Sequence, residues 1–521
     1  LKWLPYRGRA NEVMKARTAL GALVRVSIVL TSGLQVSGKV FGHLGRLATH
    51  RSEAGRELGI GTLAVATPSP RPVVRHFKRP SHGYVEGSPL YEKQKGDGSH
   101  GEGHHSEGEA GNYEGEQSER HEVQELAVAW MLLGSICFML SLFYLVNHRR
   151  RTIQTATWKV LSMTVSIFSA VVLYTAIKKM TISLLPHHDE FDATLLLVLF
   201  VVLYGPLNII LYHFRLKSSS SNMLAALGAL GGHVVGFAAM YGFAKVQERW
   251  PFEASLAGTV GVVILADVSM GLLSLGAERL REKVALAFDH VVDEDEQRWL
   301  EQTEDVENDI LALCFGFISM QAIRRLITGR LEAYEPAVPP RQLPQGQVIA
   351  LLFWSFLCAA GTACSTFVAS RLNCPPSLVR WKRVPQNACS MCMAWCLLFW
   401  GDWQVYSLGF EGSRMFGVIL VALKLTAIAL VLIFVLDMAA DHVPENEGRA
   451  LRSLEVALGM LIGFSWEKAF DVAVESVTEN VEAGGVFDNA WMLEPTLFFC
   501  VELVVMPAWF WYILPKTFEA K

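Results

Sequence analysis

Hydropathy divides the chain sharply at Leu126. From there on, eleven apolar runs of roughly bilayer length recur, at about 126–146, 157–177, 193–214, 222–244, 255–277, 309–328, 347–370, 388–409, 415–438, 451–473 and 492–514. A helix needs about 20 apolar residues to cross a ~30 Å hydrocarbon core, about twice what a barrel strand needs. Because a bilayer accepts only helices and closed barrels, the pattern predicts an all-α, polytopic integral membrane bundle of about eleven transmembrane helices. Aromatic residues gather at span ends, as in Trp250-Pro251-Phe252 and Trp509-Phe510-Trp511-Tyr512, where amphipathic rings suit the interface. The sixth span is the poorest, with Gln321, Arg324 and Arg325 in its last turns, and these side chains are expected to snorkel outward.

Five spans that run in one direction share a Phe set in a small or apolar approach: SIFSAVVLY, VGFAAMYGF, FGFISMQAI, LLFWGDWQV and IGFSWEKAF. Their phenylalanines are Phe168, Phe237, Phe317, Phe399 and Phe464. Each span is followed by one returning span, so the pattern reads as a lead-in helix plus five two-helix repeats. Loop charge orients the bundle. With residues 148–151 inside, the inner connections carry 17 Lys/Arg against 9 outside.

Before Leu126 the chain is of another kind. Residues 1–80 carry 14 Lys/Arg and three acids, the composition of a transit peptide or a disordered basic arm. The chain opens on Leu, as an incomplete or processed product would. Residues 81–125 reverse the charge, with 11 acids against three bases in a Gly/His-rich tract that has nothing to bury. The transmembrane part, 126–521, contains one long charged connector, 278–308, expected as an amphipathic surface helix, and a proline-rich loop at 329–346. His187-His188-Asp189-Glu190 lies in a loop and reads as solvated.

Of 521 residues, 51% are hydrophobic and 18% charged, with a mean hydropathy of +0.30, which excludes an ordinary soluble enzyme. No basic patch is interleaved with aromatics, so nucleic acid is not an expected partner. Motifs for phosphate cradles, metalloproteases, nucleophile elbows, dinucleotide binding and voltage-sensing helices are absent from the sequence, and no enzymatic activity, cofactor or metal is expected. Cys389, Cys392 and Cys396 share a helical face, but a lone C-x-x-C is a weak metal signal and packing is the expected role.

The informative residues are charges inside apolar spans, which are costly there and normally meet a partner or a wet path. Glu467 and Asp471 lie one turn apart on the tenth span and continue into Glu475 and Glu479 as an acidic ridge. Glu502 sits centrally in the last span, where an unpaired carboxyl can bind and release a proton. His233 and Asp267 fall at the midplane of one hairpin, the place of a fixed structural hydrogen bond or of a proton relay. Asp402 and Lys424 fall at matching depths and are expected to pair, leaving Lys468 to neutralise another helix. The resulting expectation is a transporter or channel for a proton or other cation, with Glu467, Asp471 and Glu502 as its polar heart. The alternative is a non-catalytic assembly subunit of a larger membrane complex. Its surroundings would be the lipid bilayer of an organelle or the plasma membrane, with further membrane subunits or a second copy as partners.

Overall fold

The computed structural model describes residues 129, 132–149, 151–184, 192–214, 221–286, 292–331, 343–371, 380–407, 414–440, 442–443, 445–483 and 490–519, all within the unit formed by 108–521. Residues 1–80 and 81–125, the 187–190 cluster and most of the proline-rich loop lie outside the described residues. The described residues are 94% helical and contain no strand. In chain order the helices are α1 (Leu132–Val146), α2 (Arg151–Leu184), α3 (Asp192–Phe214), α4 (Ser221–Gln247), α5 (Leu256–Ala285), α6 (Glu294–Thr328), α7 (Gln345–Arg371), α8 (Arg383–Ser407), α9 (Arg414–Ala440), α10 (Glu445–Ala483) and α11 (Ala490–Ala508). A π-helical turn, Trp509–Ile513, follows Pro507 and leads into α12 (Leu514–Glu519).

Each expected span coincides with a helix, but among the described residues eight helices are long and apolar enough to cross a membrane, not eleven. Of α1 only Leu132–Val146 lies among the described residues, while α8 carries Gln386, Asn387, Asp402 and Gln404, and α10 carries the acidic ridge.

The helices sort by burial. In α2, α4 and α6 the apolar windows are 67–72% buried, against 22–44% in α3, α5, α7, α9 and α11. Helices α8 and α10 are also largely buried. These five inner helices close on themselves, each packing on the next in the order α2, α4, α6, α8, α10 and back to α2. The outer helices cover the ring with exposed apolar faces, among them Ile264, Leu265, Phe353, Phe356, Leu503 and Val504.

Each outer helix packs mainly on the inner helix that follows it, α3 on α4, α5 on α6, α7 on α8 and α9 on α10, while α11 closes against α2. The expected pairing of each inner helix with its returning span is therefore shifted by one. Periodicity marks which faces are apolar but not which neighbour covers them.

The small residue before the repeated Phe has a steric reason. A Cβ on Gly236 would lie 2.8 Å from Leu313 of α6, one on Gly316 2.6 Å from Met391 of α8, and one on Gly463 2.9 Å from Ile167 of α2. In each case the glycine lets the next inner helix approach closely, the role small residues play where helices associate in lipid.

The described residues of the charged connector 278–308 continue the two helices that flank it. Helix α5 runs through Ala285 and α6 begins at Glu294, capped by Asp293, whose side chain accepts from the Glu296 amide at 2.7 Å. At 35 residues α6 is about 52 Å long, well over the ~30 Å hydrocarbon core. Its first turns join α5 through a buried network centred on Glu307. Arg281 donates to both carboxylate oxygens at 2.5 and 2.9 Å, Arg380 donates at 2.7 Å and the Tyr204 hydroxyl at 2.5 Å. Arg380 also reaches Asn308 at 3.1 Å and Glu278 at 3.3 Å. Mutual satisfaction is what lets these charges leave solvent.

Candidate functional site

The five inner helices each contribute one buried aromatic to a chain of rings across the ring interior. Tyr174 of α2 meets Phe237 of α4 with centroids 6.4 Å apart, and Phe237 meets Phe464 of α10 at 5.6 Å. Phe464 stacks on Trp395 of α8 at 4.3 Å, and Trp395 meets Phe317 of α6 edge-on at 4.9 Å. Helices α4 and α10 are not neighbours in the ring, so the Phe237–Phe464 contact spans its interior. Together the five side chains form an aromatic plug, and all five are buried.

A cavity of about 590 Å³ approaches this plug between the middle of α6 and the N-terminal halves of α8 and α10, with α7 forming part of its wall. Arg383, Arg449 and Arg452 line it twelve to fifteen residues before the plug aromatics of their helices, and Asp309 lines it eight residues before Phe317. Amide and hydroxyl side chains follow: Gln386 donates to Ser453 at 2.7 Å, and Ser453 donates to Asn387 at 3.3 Å. Leu313, Met391 and Met460 line its far end. Each lies four residues before a plug aromatic (Phe317, Trp395 and Phe464), so one helical turn, about 5.4 Å, separates cavity from plug.

His233 lies at the same offset before Phe237, hence on the same face of α4 and one turn nearer the mouth. It is buried, and neither ring nitrogen meets a hydrogen-bond partner among the described residues.

Past the plug along the inner helices, buried polar side chains return. Lys178, one turn past Tyr174, is buried with its ammonium 4.7 Å from the Tyr241 ring centroid. Arg324 and Gln321, expected to snorkel, are instead buried: Arg324 donates to Gln321 at 2.8 Å and stacks 4.1 Å from the Phe399 centroid. The guanidinium is thereby offered an acceptor and an aromatic face without leaving the bundle.

The expected charge pairs are rearranged. Asp402 pairs with Lys468 of α10, not with Lys424. Lys424 instead donates to Gln404 at 2.5 Å and lies 4.2 Å from the Trp400 centroid, close enough to Asp402 for electrostatic contact only. His233 and Asp267 do not meet. Asp267 is on the exposed face of α5 beside Ile264, Leu265 and Val268, and its electrostatic neighbour is Cys314.

Nor do Glu467, Asp471 and Glu502 gather into one site. Glu467 is half-buried on α10. Asp471 lies 3.8 Å from Lys179 of α2, which also bonds Glu494 of α11. Glu502 is buried beside Ser169 of α2, with neither carboxyl oxygen in a well-formed hydrogen bond among the described residues. Ser169 and Lys179 are ten residues apart on one helix, about 15 Å along its axis, so Asp471 and Glu502 sit at different depths. Along the acidic ridge Glu475 meets Arg414 at 2.9 Å, while the side chain of Glu479 lies outside the described residues.

The plug and its approach were only half visible beforehand. Phe237, Phe317 and Phe464 belong to the repeated motif, but Tyr174 and Trp395 replace Phe168 and Phe399 in the other two units. Phe168 turns instead to Phe470, 5.5 Å away, and Phe399 lies under Arg324. No protein-family model matches this chain, and no curated protein or solved structure matches it either.

Proposed function

We propose that this is a multi-pass membrane channel or transporter whose path follows the axis of the five-helix ring and is closed at rest by the aromatic plug. On this reading α1, α8 and α10 also cross the bilayer, giving eleven spans, because α8 and α10 complete a ring whose other members are apolar helices of bilayer length. The observation that carries the proposal is the alignment of one aromatic from each inner helix with a cavity that ends one turn away. A merely structural core has no need of a polar cavity leading to its most densely aromatic layer. Dry aromatic constrictions gate pores by excluding water.

The charge along this path favours a small anion over the cation or proton suggested by the isolated acidic residues. The cavity lining holds three arginines and one aspartate, and past the plug the inner helices carry buried Lys178 and Arg324 as well as the Lys468–Asp402 pair. None of the three acids of the cation reading, Glu467, Asp471 and Glu502, lines the cavity: Asp471 lies by Lys179 and Glu502 beside Ser169. Fields of this sign raise the local concentration of anions and repel cations.

The alternative, an assembly subunit without flux, is favoured by the interhelix ion pairs that staple α2 to α10 and α8 to α10. Proteoliposome flux separates the two. Chloride or nitrate flux should exceed potassium flux, and Arg449→Glu with Arg452→Glu should lower the anion-to-cation ratio. Equal, leak-level flux of all three ions through folded protein supports the assembly reading.

A further inference from the structure

We propose that Cys358, Cys392 and Cys396 form a binding site for one thiophilic d10 metal ion, monovalent copper in particular, between α7 and α8. The sequence offers only a C-x-x-C on α8, but the fold adds Cys358 from the neighbouring outer helix. The three sulfurs lie within 4.8 Å of one another. Cys392 and Cys396 are four residues apart, hence on one face of α8, and both are buried, while Cys358 is half-buried. The thiols interact with one another as hydrogen-bonding neighbours.

As packing, this arrangement is unremarkable, since three alanines or valines would fill the seam without bringing weak S–H donors together. As a coordination set it is close to complete. Sulfurs placed ~2.3 Å from a central ion in a trigonal plane lie about 4 Å apart, which the observed cluster reaches by side-chain adjustment alone.

Soft thiolate ligands select copper(I), zinc and iron–sulfur centres, and the number of donors discriminates among them. Structural zinc closes four-coordinate, whereas monovalent copper is content with three sulfurs. The one further thiol on this face, Cys389, is directed elsewhere on α7, with its Sγ 3.4 Å from the Cβ position of Gly361 and its thiol bonded to Ser365. Three thiolates around Cu(I) carry a net charge of −2, and the Arg324 guanidinium, within electrostatic reach of Cys396, offsets part of it. On binding, each ligating thiol loses its proton to solvent, and no oxidant or reductant is consumed.

The test uses the full chain, purified in detergent under reducing, anaerobic conditions and titrated with Cu(I) against a chromogenic Cu(I) chelator. The expected result is one Cu(I) per chain, with X-ray absorption showing three sulfur neighbours. Cys392→Ser or Cys358→Ser should weaken binding by more than the ~10–100-fold that loss of a supporting second-shell group costs, while Cys500→Ser, at an exposed position, should not. Because a core variant can misfold, a second measurement needs no substitution: Cu(I) should protect the half-buried Cys358 of the wild-type protein from alkylation. Failure of folded wild-type protein to compete for Cu(I), or absence of that protection, overturns the proposal. Preferential retention of Zn(II) with four sulfur neighbours also overturns it, by placing Cys389 in the site.

Discussion

Substituting Glu307 by Gln should be among the most destabilising changes of a single charge in the molecule. The carboxylate is 2% exposed and accepts four hydrogen bonds, two from Arg281 and one each from Arg380 and Tyr204. Gln keeps the volume but removes the negative charge and puts an NH₂ where two guanidinium donors converge. Both arginines are then left buried, Arg380 with Glu278 at 3.3 Å and Arg281 with the Asn208 side-chain carbonyl at 3.3 Å as hydrogen-bond acceptor. Breaking a buried pair by removing one partner costs about 3–5 kcal/mol, a large share of the 5–15 kcal/mol that typically separates folded from unfolded states. The assay is unfolding of the detergent-solubilised protein, followed by loss of its monodisperse species. The apolar triple replacement Arg281→Met, Glu307→Leu and Arg380→Met should be less destabilised than the single variant, because no charge is left buried. A Glu307→Gln protein within about 0.5 kcal/mol of wild type, the range of an ordinary surface substitution, would refute the reasoning.

Gly316→Ala should destabilise by about 1–3 kcal/mol, since its Cβ would meet the Met391 Cβ at 2.6 Å and the Cys392 backbone at 2.9 Å. Gly205→Ala, with nothing within 4 Å, should instead stabilise α3 by up to about 1 kcal/mol; the same unfolding assay reads both signs. Lys468→Met strands the buried Asp402 carboxylate and should cost up to about 3–5 kcal/mol, with most of it recovered in the double variant Asp402→Leu, Lys468→Met. A double variant no more stable than the single one would mean that the pair contributes nothing.

The helical class and the places of the helices could be read from period and length, since eight of the described helices are long and apolar enough to cross a membrane. Three of the five repeated Phe, Phe237, Phe317 and Phe464, lie in the plug, and the glycine before each marks where inner helices touch, whereas Phe168 and Phe399 turn elsewhere. The ring itself could not, since nothing in α10 says that it closes onto α2. Charge pairing failed for a related reason. Asp402 and Lys424 match in depth, but depth ignores rotation about the helix axis, and it is Lys468 that faces Asp402. Arg324 was misjudged because snorkelling assumes a lipid-facing helix, whereas α6 lies in the inner ring with Phe399 and Gln321 to receive the guanidinium. Cys358 carried no signal at all, since its partners come from another helix.

The central claim is that the plug is a gate, and the conductance of Phe464→Ala in planar bilayers tests it most directly. Phe464 touches both Phe237 and Trp395, so truncating it opens the middle of the aromatic chain. Loss of the ring costs about 3–5 kcal/mol of stability, so the variant is first shown to be monodisperse. The account expects a low-conductance wild type and a variant with a sustained current whose reversal potential follows the chloride gradient. A folded Phe464→Ala protein that stays silent, or one whose current follows the potassium gradient, contradicts it.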